Sequence, residues 1–125
     1  MPWESIVGKN QASESEILHL RALASDPARA SSTKTATYDM MAHDLTKADV
    51  CDALWGWIHE GAAVTRTIMH GQDAGQFAYE IWPEFAGQRF YCKFMILGET
   101  SLDPKLFIVS VHPDRPEAIR PGGQS

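Results

Sequence analysis

The sequence predicts an α+β domain, with N-terminal helices packed on a C-terminal antiparallel sheet of about four strands. Three observations predict it. Apolar residues recur at helical spacing as far as Gly61, and beyond it the pattern becomes alternating and rich in β-branched residues. The connections between the strand segments run to about five to seven residues, which suits hairpins and is too short for parallel crossovers. The chain has 125 residues, 44% hydrophobic and 22% charged, enough for one domain with one core.

Residues 1–12 show no period and read as a loose N-terminal arm, with the domain expected over 13–112. Ser13 followed by Glu16 forms a capping-box signature, and Ile17, Leu20, Leu23 and Ala24 follow at helical spacing. Asp26-Pro27 ends this helix, and 28–33 is a short linker. A second helix fits Lys34 to His43, with Tyr38 and Met41 on one face. Thr46 then suits an N-cap, Asp49 the first turn, and Val50, Leu54, Trp57 and Ile58 an amphipathic stripe ending at Gly61.

Val64, Thr65, Thr67 and Ile68 make the first strand segment, within 62–69. The turn cluster 71–75 leads to Phe77–Trp82, where Phe77, Tyr79 and Ile81 share a face. Residues 83–87 turn the chain again before Phe90–Leu97, the longest strand segment. Leu106–His112 is almost wholly apolar, as expected of a central strand. Residues 113–125, with Pro113, Pro116, Pro121 and Gly122-Gly123, read as a disordered tail.

No apolar run approaches the ~20 residues of a membrane span. The first residues lack the basic and apolar regions of a signal peptide, so a cytoplasmic location is expected. Cys51 and Cys92 are too few for a disulfide scaffold and read as reduced core residues. The net charge of −5 argues mildly against a nucleic-acid partner. Its distribution matters more: residues 1–60 carry five Lys/Arg against nine Asp/Glu, and residues 61–125 six against seven. The sheet half is therefore nearly balanced.

The chain contains no phosphate-binding glycine motif, no HExxH and no Gly-x-Ser-x-Gly elbow. None of the five histidines pairs with another at metal-ligand spacing, and neither a metal nor another cofactor is expected. The sheet half places polar groups more suggestively. Tyr91 and Lys93 are two apart on a strand and share a face, which Arg89 joins if the strand starts early enough. Phe90, Cys92, Phe94 and Ile96 then point to the helices. Such alternation is the ordinary pattern of a solvated sheet face. It also suits a phosphate-binding face, with Lys93 and Arg89 neutralising charge and Tyr91 stacking on a base or donating a proton. Arg66 would reach the same face if its strand joins the sheet. His70 and His112, each at a strand end, are candidates for proton transfer or rim contacts. Trp57 reads as core, Trp55 as an edge or partner surface, and Trp82 as a turn anchor that could stack on a base.

The stretches TYDMMAHDLTKADVCDAL, TRTIM, YEIWPEFAGQRFYCKFMI and LFIVSVH, in this order, resemble the MqsR family of bacterial toxins within the RelE-like superfamily. The resemblance spans roughly residues 14–112 and rests on short, degenerate motifs. It implies the toxin of a type II toxin–antitoxin system, a metal-free endoribonuclease that cleaves mRNA and inhibits growth. In such enzymes the ribose 2′-hydroxyl attacks the adjacent phosphate. Tyr91 and Lys93 match the family's Tyr-x-Lys strand, Arg66 falls where the family has a lysine, and Tyr79 lies close to the position of a family glutamine. Catalysis is thus expected from Tyr91, Lys93 and Arg66, and RNA binding from Arg89, His70, Tyr79 and His112. The acidic charge departs from the family's usual basicity. The implied partners are a cognate antitoxin and mRNA, with no membrane and no direct DNA binding. The alternative is a non-catalytic module that binds a protein partner through its sheet or its tryptophan-bearing surface.

Overall fold

The computed structural model describes residues 9–69 and 75–114. Its elements follow in the order β1 (Lys9–Gln11), α1 (Glu14–Ala24), a 3₁₀ turn (Pro27–Arg29), β2 (Ser31–Ser32), α2 (Lys34–Ala42), α3 (Lys47–His59), β3 (Thr65–Ile68), β4 (Phe77–Ile81), β5 (Glu84–Phe85), β6 (Gln88–Leu97) and β7 (Lys105–Pro113). The α+β class is as the sequence predicts, but the sheet is larger. It has seven strands in the order β1-β3-β4-β6-β7-β2, with β5 paired to β6 off that path. The four long strands are mutually antiparallel, whereas β2 runs parallel to β7, so the sheet is mixed. The three added strands have two or three residues each, too few to show a period. Two of them fall in stretches expected to be an arm and a linker, and Pro113, expected in the tail, pairs with Phe90 at the end of β7. His70, Trp3 and residues 115–125 lie outside the described residues.

The capping box expected at α1 forms, and the expected N-cap of α3 closes a second one. The Ser13 hydroxyl accepts from the Glu16 N–H while Glu16 accepts from the Ser13 N–H, and Thr46 and Asp49 do the same for α3. Gly61, at φ +81, follows α3 in the left-handed conformation that ends helices. The β5–β6 hairpin turns on two residues, Ala86 and Gly87, both at positive φ, the twist that suits adjacent antiparallel strands.

The helices cover one face of the sheet, α2 packing on β7 and α1 on α3 and β7. The core joins Leu20, Met40, Val50 and Leu54 from the helices to Ile81, Phe90, Phe94, Ile96, Leu106, Ile108 and Val111 from the strands. Cys51 and Cys92 are free and buried within it. Burial pushes their thiols up, to about 11 and about 12, which leaves both inert near neutral pH. Trp57 is half-buried against this core and its indole N–H donates to the Ala63 carbonyl at 2.9 Å.

One irregularity sets which side chains reach the other face. Lys93 pairs with Ser110, but Phe94 pairs with Ile108, so Val109 is an extra residue in β7. The bulge is tied to the start of α2. The Thr33 hydroxyl donates to the Val109 carbonyl at 3.0 Å and accepts from the Ala36 N–H at 3.0 Å, and the Thr33 N–H donates to the Ile108 carbonyl at 3.0 Å. Replacing Thr33 with valine keeps its shape and removes both side-chain bonds. Chemical denaturation is expected to show a loss of about 1–2 kcal/mol, with serine restoring most of it.

A polar cluster crosses the rim of the helix-covered side. Glu16 of α1 accepts from the Tyr79 hydroxyl at 2.8 Å and from Arg66 Nη1 at 3.2 Å. Burial works to raise the Glu16 carboxyl, but bonds from the Ser13 N–H, Tyr79, Arg66 and the Ser13 hydroxyl outweigh it and hold it below its ordinary value. A depressed carboxylate stabilises the fold above its unfolded pKa of about 4.3, and that contribution fades as pH falls through the lower folded value. Glu16→Gln is therefore expected to cost about 1–3 kcal/mol at pH 7. In a pH series of melting temperatures, the gap between wild type and variant should close as the pH drops below about 4.

Candidate functional site on the sheet face opposite the helices

The alternation in β6 sends Tyr91 and Lys93 to the face away from the helices, opposite Phe90, Cys92, Phe94 and Ile96. Pairing registers then assemble two rows across that face. One row runs Thr65, Glu80, Lys93, Ser110, each residue directly opposite the next on β3, β4, β6 and β7. In the neighbouring row Tyr91 lies opposite His112, their rings 5.2 Å apart, and the Trp82 ring lies 5.8 Å from Tyr91 on its other side. Adjacent strands are about 4.8 Å apart, so the groups in these rows lie within reach of one ligand.

Glu80 is the centre of the arrangement. Its residue is only 4% exposed, and its Oε2 accepts from the Tyr91 hydroxyl at 2.6 Å. A buried carboxylate needs such donors, and charge-assisted bonds of this length are strong. Burial, then the bond to Glu80 and its negative charge, push the Tyr91 phenol well above the ordinary tyrosine range. Tyr91 is therefore a fixed donor to Glu80 and does not ionise near neutral pH. Lys93 lies half-buried beside Glu80 in the register.

His112 is exposed at the rim, with Nδ1 3.1 Å from the Pro113 carbonyl oxygen. A carbonyl only accepts, so this bond requires the proton on Nδ1, and in the neutral ring Nε2 then carries the lone pair. Arg89, at the start of β6, has its guanidinium carbon 6.0 Å from the Trp82 ring centroid and its Nε 3.4 Å from Asp114 Oδ2. It is 62% exposed, so this ion pair holds it loosely.

Four of the sequence candidates thus meet on one face: Arg89, Tyr91, Lys93 and His112. Two do not. Arg66 pairs with Tyr79 across β3 and β4, and both lie on the helix-covered side. Arg66 is bonded to Glu16 and lies 4.3 Å from the Phe77 ring centroid, while Tyr79 is 2% exposed with its hydroxyl on Glu16. Strand parity turns them away from Tyr91 and Lys93, so they do not share a face with the other four. Trp55 is 38% exposed and stacks on His59 on α3, away from the face of Tyr91 and Lys93.

Sequence reasoning missed Glu80. Its signal was the alternation of Phe77, Tyr79 and Ile81, which sends Ala78, Glu80 and Trp82 the other way. Among the described residues no three His, Cys, Asp or Glu side chains form a metal-binding group, and no helix is long and apolar enough to cross a membrane. Comparison with protein-family models, with curated proteins and with solved structures finds no match for this chain.

The Tyr91–Glu80 bond has a direct spectroscopic readout. In an ultraviolet pH titration of Glu80→Gln, the Tyr91 phenol is expected to ionise at lower pH than in the wild type, because the charge opposing it is gone. Tyr91→Phe, which removes a donor from a buried carboxylate, should cost about 1–3 kcal/mol in denaturant melts.

Proposed function

We propose that the sheet face opposite the helices binds and cleaves RNA, and that the protein is an mRNA endoribonuclease of the toxin type. The observation that carries this reading is that Lys93 and Tyr91 meet at Glu80, with His112 against Tyr91 and Arg89 on the same face farther along β6. Transesterification of RNA needs a base for the 2′-hydroxyl, positive charge at the phosphate and a proton for the leaving oxygen. His112 Nε2 takes the 2′-hydroxyl proton. The 2′-oxygen forms a bond to phosphorus as the bond to the 5′-oxygen breaks, and that oxygen takes a proton from the Lys93 ammonium, which solvent restores. The products are a 2′,3′-cyclic phosphate and a free 5′-hydroxyl. Lys93 and Arg89 also offset the charge that builds on the phosphate oxygens.

Tyr91 and Glu80 act as positioning groups, fixing the floor against which the phosphate sits. Trp82 offers a ring for a base at the edge of the face. The resemblance to MqsR toxins supports the same chemistry and adds a cytoplasmic setting, growth arrest on expression and neutralisation by a cognate antitoxin. Arg66 and Tyr79 have no part in this mechanism.

The test is purified protein with end-labelled RNA in the presence of EDTA. Cleavage leaving cyclic-phosphate ends is expected. Lys93→Ala and His112→Ala should each slow it by about 100-fold or more, with melting temperatures near wild type. RNA left intact by the wild-type protein would overturn the reading. Tight binding to a protein partner, indifferent to Tyr91→Phe, would then favour the non-catalytic module.

A further inference from the structure

A cleft of about 690 Å³ opens between the start of α3 and the β5–β6 hairpin, on the opposite side of β6 from Tyr91 and Lys93. Its floor is apolar. Phe90 is 2% exposed and packs edge-on against both Phe85, at 5.1 Å between centroids, and His43, at 5.2 Å, and Leu45 and Ala53 complete the lining. Its rim is acidic: Asp44, Asp49 and Asp52 line it, and no Lys or Arg does. Glu84 borders the cleft too, but it lies directly opposite Arg89 across β5 and β6, so its side chain shares the face of Arg89. Asp49 is engaged by the α3 N-terminus through the Thr46 N–H. Asp44 and Asp52 are exposed and make no ion pair or side-chain hydrogen bond among the described residues.

An open groove with an aromatic floor and two uncompensated carboxylates at its mouth repels nucleic acid and matches a ligand of opposite pattern. We propose that this cleft docks a cationic peptide segment of a partner protein, its Arg or Lys side chains on Asp44 and Asp52 and an apolar side chain against Phe85 and Phe90. The mode is that of an extended or helical segment laid in a groove, with apolar anchors for affinity and charges for register. It is independent of the ribonuclease reading, because the groove lies away from the RNA face.

The probe is a short fluorescein-labelled peptide of repeated Arg-Leu dipeptides, titrated into the full-length protein and followed by anisotropy. Backbone amide NMR maps where it sits. Binding that weakens with salt, with shifts confined to residues 43–53 and 84–90, is expected. Asp44→Lys with Asp52→Lys should weaken binding at least about tenfold, while Glu60→Lys with Glu99→Lys, equal in charge change but outside the cleft, should have much less effect. Four results would overturn the proposal: equal binding of a Glu-Leu peptide, equal loss in both double variants, shifts centred on Tyr91 and Lys93, or no binding at all. Self-association abolished by the cleft reversals would assign the groove to a second copy instead. Cleft resonances that move on Arg115→Glu with Arg120→Glu would assign it to the chain's own C-terminal segment.

Discussion

In a strand without a bulge, side chains two apart share a face, so Leu106, Ile108, Ser110 and His112 would all point one way. Leu106 and Ile108 are core residues, and strict alternation would carry Ser110 and His112 into the core with them. Val109 breaks that parity. After it, Val111 takes the core position, and Ser110 and His112 turn outward to meet Lys93 and Tyr91. The candidate site therefore depends on one inserted residue, and that residue's carbonyl is held by Thr33. Thr33 also caps α2, so the helix that covers the core and the strand that completes the site share one anchor.

The opposite face depends on the same parity. Once β3 and β4 are paired with Arg66 opposite Tyr79, both side chains fall toward α1, where Glu16 collects them. Glu16 already closes the capping box of α1, so its carboxylate serves a helix terminus, a strand arginine and a buried tyrosine together. The two carboxylates have parallel surroundings. Each is bonded to a tyrosine hydroxyl, Glu16 to Tyr79 under the helices and Glu80 to Tyr91 on the opposite face. In each pair the tyrosine stays protonated, which makes it a rigid donor.

Much of this was legible in the residues. The helix caps are spelled out by Ser13-x-x-Glu16 and Thr46-x-x-Asp49, and the two faces of β6 by its alternation. What was not legible is relative: which face of β3 meets which face of β6. Thr65-Arg66-Thr67-Ile68 has no clean apolar alternation, so its own sequence does not say whether Arg66 or its neighbours face the helices. His112 reached the expected face for a reason outside the local pattern, since the bulge is set by a side chain 76 residues earlier in the chain. The two- and three-residue strands escape any periodicity argument, because they exist only as partners of longer ones.

The net charge of −5 reads against nucleic acid only if it is spread evenly, and it is not. Asp44, Asp49 and Asp52 gather at the cleft on the helix side of β6. On the other face, the carboxylate of Glu80 is buried and bonded to Tyr91, Glu84 lies opposite Arg89 across β5 and β6, and Asp114 forms an exposed pair with Arg89. An exposed pair contributes about 0–1 kcal/mol, so in the proposed reaction a phosphate would displace Asp114 from Arg89 at small cost. The thickness of the sheet separates Lys93 and Arg89 from the acidic cleft, and over such a distance ionic screening weakens the repulsion, with a Debye length of about 8 Å at physiological salt. On the two proposals, one face of β6 takes an anionic backbone and the other a cationic peptide.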